Sequence, residues 1–508
     1  MLRRNFLKSV LLFIFTLLFG FLFKREGRIV RATDNLPSVH VDSYGAKGDG
    51  LTNDTVAFQK ACAVINQAGG GTLILSKKIY IVGLQDLAGT GGKRYSYKGQ
   101  DIIKIQNCSK NLIIEGNGAT LRAANGLKFG SFNPLTGAVY NPNMPFTNLD
   151  YRADVYYAMI HLLNNEKVIV KDLELDGNLE NLTLGGLWGD RGRQCSGSGI
   201  MSVSNNTATF TNIYTHHQPL DGITIVKTNM TEEDDKNPHT LINVNSEYNA
   251  RQGLSWTGGI GLTSINCKFN HTGKSRFMSS PGAGVDIEAQ NSVCRDGMFF
   301  NCEIINNSGG GVVADSGDGG YTTFRSCIIL GTTNWAVWPN KPQMRFEKCK
   351  IYGGIVNAYG SKNQKEATQF LYCEIEDKQS HNYNVYNPNY LINIGGDNIL
   401  FEGCEITANT NKAIATMDKT KEEIFSNCII NHNNDRLPDK SFVSTFNGSK
   451  LRNTIFKELY VNPPKNGYFI NVNDVNIEGI VIVEGPKTKW RSWSEKAGAV
   501  TGLLPFNN

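Results

Sequence analysis

The sequence predicts an all-β protein built as a single-stranded parallel β-helix, a solenoid in which one chain winds rung upon rung. The first observation is a phrase, Phe-x-x-Cys-x-Ile, that returns around Cys302, Cys327, Cys349, Cys373, Cys404 and Cys428. The steps between these cysteines are 25, 22, 24, 31 and 24 residues. A period in the twenties marks a solenoid, where each repeat buries its apolar face only against its neighbours. The second observation is the spacing inside the phrase. Cys and Ile, two apart, share one face of a strand, whereas Phe and Cys are an odd number apart, so a bend must separate them if both point inward. The third is composition: 53 glycines, 15 prolines and 19% charged residues suit many short strands and turns rather than helices or disorder.

Residues 1–32 carry a basic head (Arg3-Arg4-Asn5-Phe6-Leu7-Lys8), an apolar run from Val10 to Phe23, and Val30-Arg31-Ala32 as a cleavage site. The run is short for a membrane span, so the pattern predicts an export signal whose head resembles a twin-arginine signal peptide. A secreted or cell-surface protein follows, with no stable membrane insertion after signal removal. The formal charge of +5 belongs to this segment, which holds seven of the 51 basic and one of the 46 acidic residues. The remainder has 44 basic against 45 acidic residues, a net of −1, which excludes nucleic-acid binding by charge. Eleven cysteines, an odd number and mostly at one inward rung position, predict stacked reduced thiols rather than disulfides.

Residues 33–82 hold a linker, then Val41-Asp42-Ser43-Tyr44-Gly45-Ala46-Lys47-Gly48-Asp49-Gly50. Asn53 or Asp54 then caps a helix of about Thr55 to Ala68, with Ala57, Phe58, Ala61, Cys62 and Ile65 on one apolar face, and Gly69-Gly70-Gly71 stops it. Such a helix covers the open core and unpaired edge at the start of a β-helix. The block resembles the opening of the pectin-lyase-like right-handed parallel β-helix family, the rhamnogalacturonase- and epimerase-type pectate lyase domains. Their signature runs V-x-D-F/Y-G-A-x-G-D-G, then T-D/N-D-T, a helix and G-G-G-T. The resemblance implies a right-handed β-helix with an N-terminal capping helix and a polysaccharide substrate. It does not fix the reaction, since hydrolases, lyases, epimerases and phage tailspikes share it. The N-T-D, G-D-D, G-H-G and R-I-K motifs of polygalacturonases and the D-P-H-E of alginate epimerases are absent.

The solenoid is expected over 83–488, with loop insertions, and 489–508 (Trp490, Trp493, Leu503) as a C-terminal cap. Aromatic residues in 83–160, among them Tyr97, Tyr140, Phe146, Tyr151 and Tyr156, serve either sugar stacking or a small core of the insertion itself. The rung register extends upstream through Leu173, Ile213, Val244 and Cys267 at the Cys position, and downstream through Thr454 and Ile480.

Four strands align on a glycine: Gly222, Gly253, Gly284 and Gly311. With apolar residues inward, Asp286 and Glu288 point out from one strand and Asp315 follows Glu288 one rung later. Asp221, Arg251 and Gln252 lie at the same edge, and His216 and His217 at the bend before Asp221. Neighbouring rungs are about 4.8 Å apart, so these groups converge on one patch. Paired carboxylates suit glycoside hydrolysis, which assigns Asp221, Asp286 and Glu288 to catalysis; close like charges raise one pKa and so create the acid. Substrate binding falls to Arg251, Gln252, His217 and Asp315, and to Trp188 in the loop Gly185 to Ser198. No cofactor is required for that reading. Two alternatives stand beside it: a lyase with Ca²⁺ on Asp286, Glu288 and Asp315, and a non-catalytic polysaccharide-binding or tailspike-like solenoid.

Overall fold

A computed structural model describes residues 36–87, 95–386, 390–409, 413–417, 420–433, 444–458, 470–471 and 475–484. The segments expected to form an export signal (1–32) and a C-terminal cap (489–508) lie outside these residues. The described chain is a right-handed parallel β-helix whose long sheets are parallel throughout. Each complete rung has three strands: two joined by a sharp bend, then a third on a separate wall. Among the described residues, 13 strands stack in that wall, from Ile103–Gln106 to Ile470–Asn471. No helix among them is long and apolar enough to cross a membrane.

The bend falls one residue before each repeat cysteine. Asn301, Ser326, Lys348, Tyr372, Gly403 and Asn427 all have φ between 52 and 62°. This left-handed conformation turns the chain so that Phe and Cys both face inward, and it favours Gly and Asn. The phenylalanines then pair in register and stack, Phe299 on Phe324, Phe346, Phe370, Phe401 and Phe425, at centroid distances from 4.5 to 5.2 Å. Each buried ring contributes about 2–3 kcal/mol from area and about 0.5–1.5 kcal/mol from ring contact. All eleven cysteines are free and buried.

Upstream the same column continues through Val170, Phe210, Leu241 and Ser264, paired in order. Downstream one residue differs from expectation. Ile455 pairs with Ile482, so Val481, fully buried, follows Thr454 in the Cys column, while Ile480 is 54% exposed. An extra residue at the Gly479 turn (φ 75°) shifts the count by one.

Helix α1 (Thr55–Ala68) closes the N-terminal end with Phe58, Ala61, Cys62 and Ile65 buried. Phe58 meets Tyr80 edge-on at 5.3 Å. The acidic residues of the opening block are structural ties. Asp54 accepts from Lys47 N (2.8 Å) and Gly48 N (3.0 Å), and Asp42 from Ser76, Lys78 and Tyr80 side chains, each at 2.8 Å. It is Asn53 that caps Thr55 N, at 3.1 Å. Strands Ser38–His40, Gly71–Ile74 and Ile79–Val82 join the long sheet, so the opening block is part of the solenoid wall.

The aromatic insertion packs onto the main core rather than displaying its rings. Five short strands pair in a small sheet of their own, Tyr140 packs on Tyr151 at 4.4 Å and on Phe146 at 5.4 Å, and Tyr156 is wholly buried in the solenoid core.

Candidate active site

The site lies on five consecutive wall strands: β1 (Asp221–Val226), β2 (Gln252–Trp256), β3 (Val285–Ile287), β4 (Val312–Ala314) and β5 (Val337–Pro339). Ile223, Leu254, Val285, Val312 and Val337 pair in one inward column and are fully buried. Strand alternation turns the next residues outward: Thr224, Ser255, Asp286, Val313 and Trp338. The glycine column precedes them because the chain enters the wall against the backbone of the following rung. A Cβ on Gly253 would come within 2.5 Å of Gly284 O, and one on Gly311 within 2.5 Å of Ala336 O.

Two linked pairs occupy the edge. Arg251 donates from Nε to Asp221 Oδ1 and from Nη2 to Asp221 Oδ2, both at 2.7 Å, and Thr224 Oγ1 adds a bond to Oδ2 at 3.0 Å. One rung on, Gln252 Nε2 donates to Asp286 Oδ2 at 2.6 Å, while Gln252 Oε1 accepts from Ala283 N at 2.9 Å. The second bond fixes which end of the amide faces Asp286. Asp286 is 5% exposed. Its pKa is pushed up to about 8, first by burial and next by the charge of Glu288; Arg251 opposes this, and Asp221 and Asp315 add to it. Asp286 therefore carries a proton at neutral pH. The hydrogen bond from Gln252 engages Oδ2 and leaves Oδ1 unused by it. Glu288, two residues along the same face, is half-buried, and Asp315 is exposed.

The fold is a parallel β-helix. Among solved structures, the chain is similar to the A-module of the Azotobacter vinelandii mannuronan C-5 epimerase AlgE4, with a TM-score of 0.41 and 13% identity over 90% of this chain and 100% of that one. It is similar to the pre-mature bacteriophage phi29 gene product 12, with a TM-score of 0.49 and 13% identity over 88% of this chain and 52% of that one. A third is the tailspike gp49 of the Acinetobacter baumannii bacteriophage Fri1, a capsular polysaccharide depolymerase, with a TM-score of 0.31 and 13% identity over 88% of this chain and 58% of that one. These likenesses concern the fold alone. No family model matches the sequence, and no curated protein does.

The expected site residues divide into two groups. Arg251, Gln252, Asp221 and Asp286 are joined by hydrogen bonds in adjacent rungs, with Glu288 and Asp315 close enough to act on Asp286 through charge. Within this group Asp221 departs from the catalytic role expected of it. Its side chain is 1% exposed and both oxygens are taken, so it holds Arg251 rather than facing a substrate. Register also places Asp221 at the strand start, three positions before the Asp286 column, so the two are further apart than two rungs alone imply.

Trp188 and His217 fall outside. Trp188 is 9% exposed, donates its indole N–H to Asn148 O at 3.1 Å and carries the Arg152 guanidinium 4.4 Å over its ring. It is packed loop core, not a sugar platform. Its loop nonetheless flanks the site, since Arg193 N and Gln194 bond to Ser279 and Ser280, which lead into β3. His217 is engaged with the His216 ring nitrogen at 2.7 Å and stacks on Tyr248 at 5.2 Å. Sequence reasoning missed Thr224, which braces Asp221, and Trp338, which shares the Asp286 column. Counting the strand pattern one rung past Gly311 finds the latter.

Among the described residues no group of three or more His, Cys, Asp or Glu side chains is placed to hold a metal ion, the expected set Asp286, Glu288 and Asp315 included.

Proposed function

We propose that the protein is an exported polysaccharide hydrolase in which Asp286 is the general acid and Glu288 the partner carboxylate, acting as base or nucleophile. The observation that supports this most is the state of Asp286: a buried carboxylic acid whose raised pKa keeps its proton at neutral pH, held at one oxygen by Gln252. A glycosidic oxygen leaves poorly unless protonated, and an acid poised near the working pH both holds and delivers that proton. Glu288, two residues away on the same face, has its backbone about 6.6 Å along the strand, from which side-chain reach can attain the carboxyl spacing that glycosidase pairs use. Arg251, paired with Asp221, fixes the edge of the site and limits how far the pKa of Asp286 is raised.

Charge favours hydrolysis over lyase chemistry. Asp221, Glu288 and Asp315 face one guanidinium, Arg251, so the patch repels a polyuronate, the substrate an elimination at C5 needs. The assay is product analysis on a panel of neutral and acidic polysaccharides. New reducing ends without the absorbance of an unsaturated uronate, lost in Asp286→Asn and Glu288→Gln, are the expected result. Unsaturated products would overturn the assignment. Binding without cleavage across the panel would replace it with the binding solenoid.

A further inference from the structure

We propose that Trp338 and Trp335 form a subsite for an uncharged pyranose ring, two rungs beyond Asp286. The inference rests on the hydrolase reading for its direction along the wall, but on separate residues. Asp286 pairs with Val313 and Val313 with Trp338, so the indole stands in the same outward column as the acid. Two rung spacings, about 9.6 Å, separate them, the reach of a disaccharide laid along the solenoid axis. Trp335 stands at the strand edge of that same rung, where Gly311 N donates to its carbonyl at 3.2 Å.

Between acid and indoles the wall is low. The intervening rung offers Gly309, Gly310, Gly311 and Val313 at its entry and in the Asp286 column, with the exposed carboxylate of Asp315 just past the strand end. A Cβ on Gly309 would lie 2.0 Å from Pro281 O, so this floor stays bare for packing reasons as well. The next rung then rises into two half-buried indoles. Trp335 is braced edge-on by Tyr386 at 5.6 Å, which holds its ring in place without a charged partner. Trp338 differs from Trp188 in the relevant way: among the described residues no cation covers its ring, and although its Nε1 edge is buried without a protein partner the side chain as a whole is half-buried. An apolar indole beside a low trough whose charged neighbour, Asp315, is an anion selects the C–H face of a neutral pyranose and repels a carboxylated sugar.

The test uses the full chain as Asp286→Asn, so that turnover does not consume the probe. Cello-, malto-, manno- and xylohexaose are titrated with tryptophan fluorescence as readout, and tetragalacturonate serves as the acidic comparison. At least one neutral hexasaccharide is expected to bind; adding Trp338→Ala should weaken it tenfold or more, whereas Trp338→Tyr retains most of the affinity and Trp188→Phe changes nothing. Thermal melts of each variant confirm folding, and the Tyr variant carries the test should the Ala variant unfold. Unchanged affinity in Trp338→Ala, absence of binding by all four neutral probes, or preference for tetragalacturonate overturns the subsite. Trp338-dependent binding with no cleavage by the wild-type protein keeps the subsite and removes the hydrolase reading instead.

Discussion

Replacing Asp286 by Asn should make the protein more stable while abolishing turnover. The carboxyl has a pKa of about 8 in the fold, raised first by burial, against about 3.9 in an unfolded chain. Between those values the folded state binds a proton that the unfolded state does not, so stability falls as pH rises, by about 1.4 kcal/mol per pH unit. At pH 7 the accumulated cost is about 4 kcal/mol, and it levels off once pH exceeds 8. Asn has the same shape and still accepts from Gln252, but it does not titrate. The gain of Asp286→Asn over wild type should thus be near zero at pH 4, grow through pH 5 and 7, and plateau above pH 8. Urea unfolding of both proteins across that range gives the difference directly, and other titrating groups cancel. A gain that does not change with pH, or a variant less stable than wild type at pH 7, would refute the placement of a neutral acid at this position.

Turnover should fall as pH rises through about 8, where Asp286 loses its proton, with Glu288→Gln removing 10²-fold or more at all pH values. Arg251→Lys, which keeps the charge but not the fork on Asp221, should shift that alkaline limb as well as lower the rate; a limb in the wild-type position would show that Arg251 does not act on Asp286. His239 donates from Nδ1 to Asn237 O and accepts from Ser202 Oγ, both at 2.8 Å, and burial lowers its pKa to about 4. A depressed histidine favours the fold only while neutral, so stability should be lost as pH falls from about 6.5 to 4, by about 3 kcal/mol in all; His239→Gln should flatten that slope in urea melts. In the phenylalanine stack, Phe346→Ala should cost about 3–5 kcal/mol, whereas Lys348→Gly, one bend later, should gain up to about 1 kcal/mol by relieving a left-handed lysine; equal effects of the two would contradict the rung anatomy.

The solenoid was legible because its ruler is chemical. Phe, Cys and Ile sit at fixed offsets, so a bend between Phe and Cys follows from strand alternation alone, and the left-handed residues at Asn301, Ser326, Lys348, Tyr372, Gly403 and Asn427 are where that argument puts them. The ruler slipped at Ile480, where one extra turn residue is invisible to a spacing count. In the site, column counting brought Asp286, Glu288, Gln252 and Arg251 into one neighbourhood. It did not show that Arg251 closes over Asp221, because a pairing between residues 30 apart depends on side-chain reach. Trp188 was misassigned for a similar reason: a tryptophan in an insertion has no repeat to say which way it faces, and here Arg152 and Asn148 claim it.

In the order of the wall, β3 is the sixth of 13 described strands. Neighbour-only contacts mean that opening free energy is lost rung by rung from each end rather than all at once. The carboxylates are therefore insulated: several terminal rungs at either side can unravel, be clipped or be rebuilt by insertion before the geometry around Asp286 registers the change. The length of the protein, on this view, is a buffer zone around a few square nanometres of chemistry.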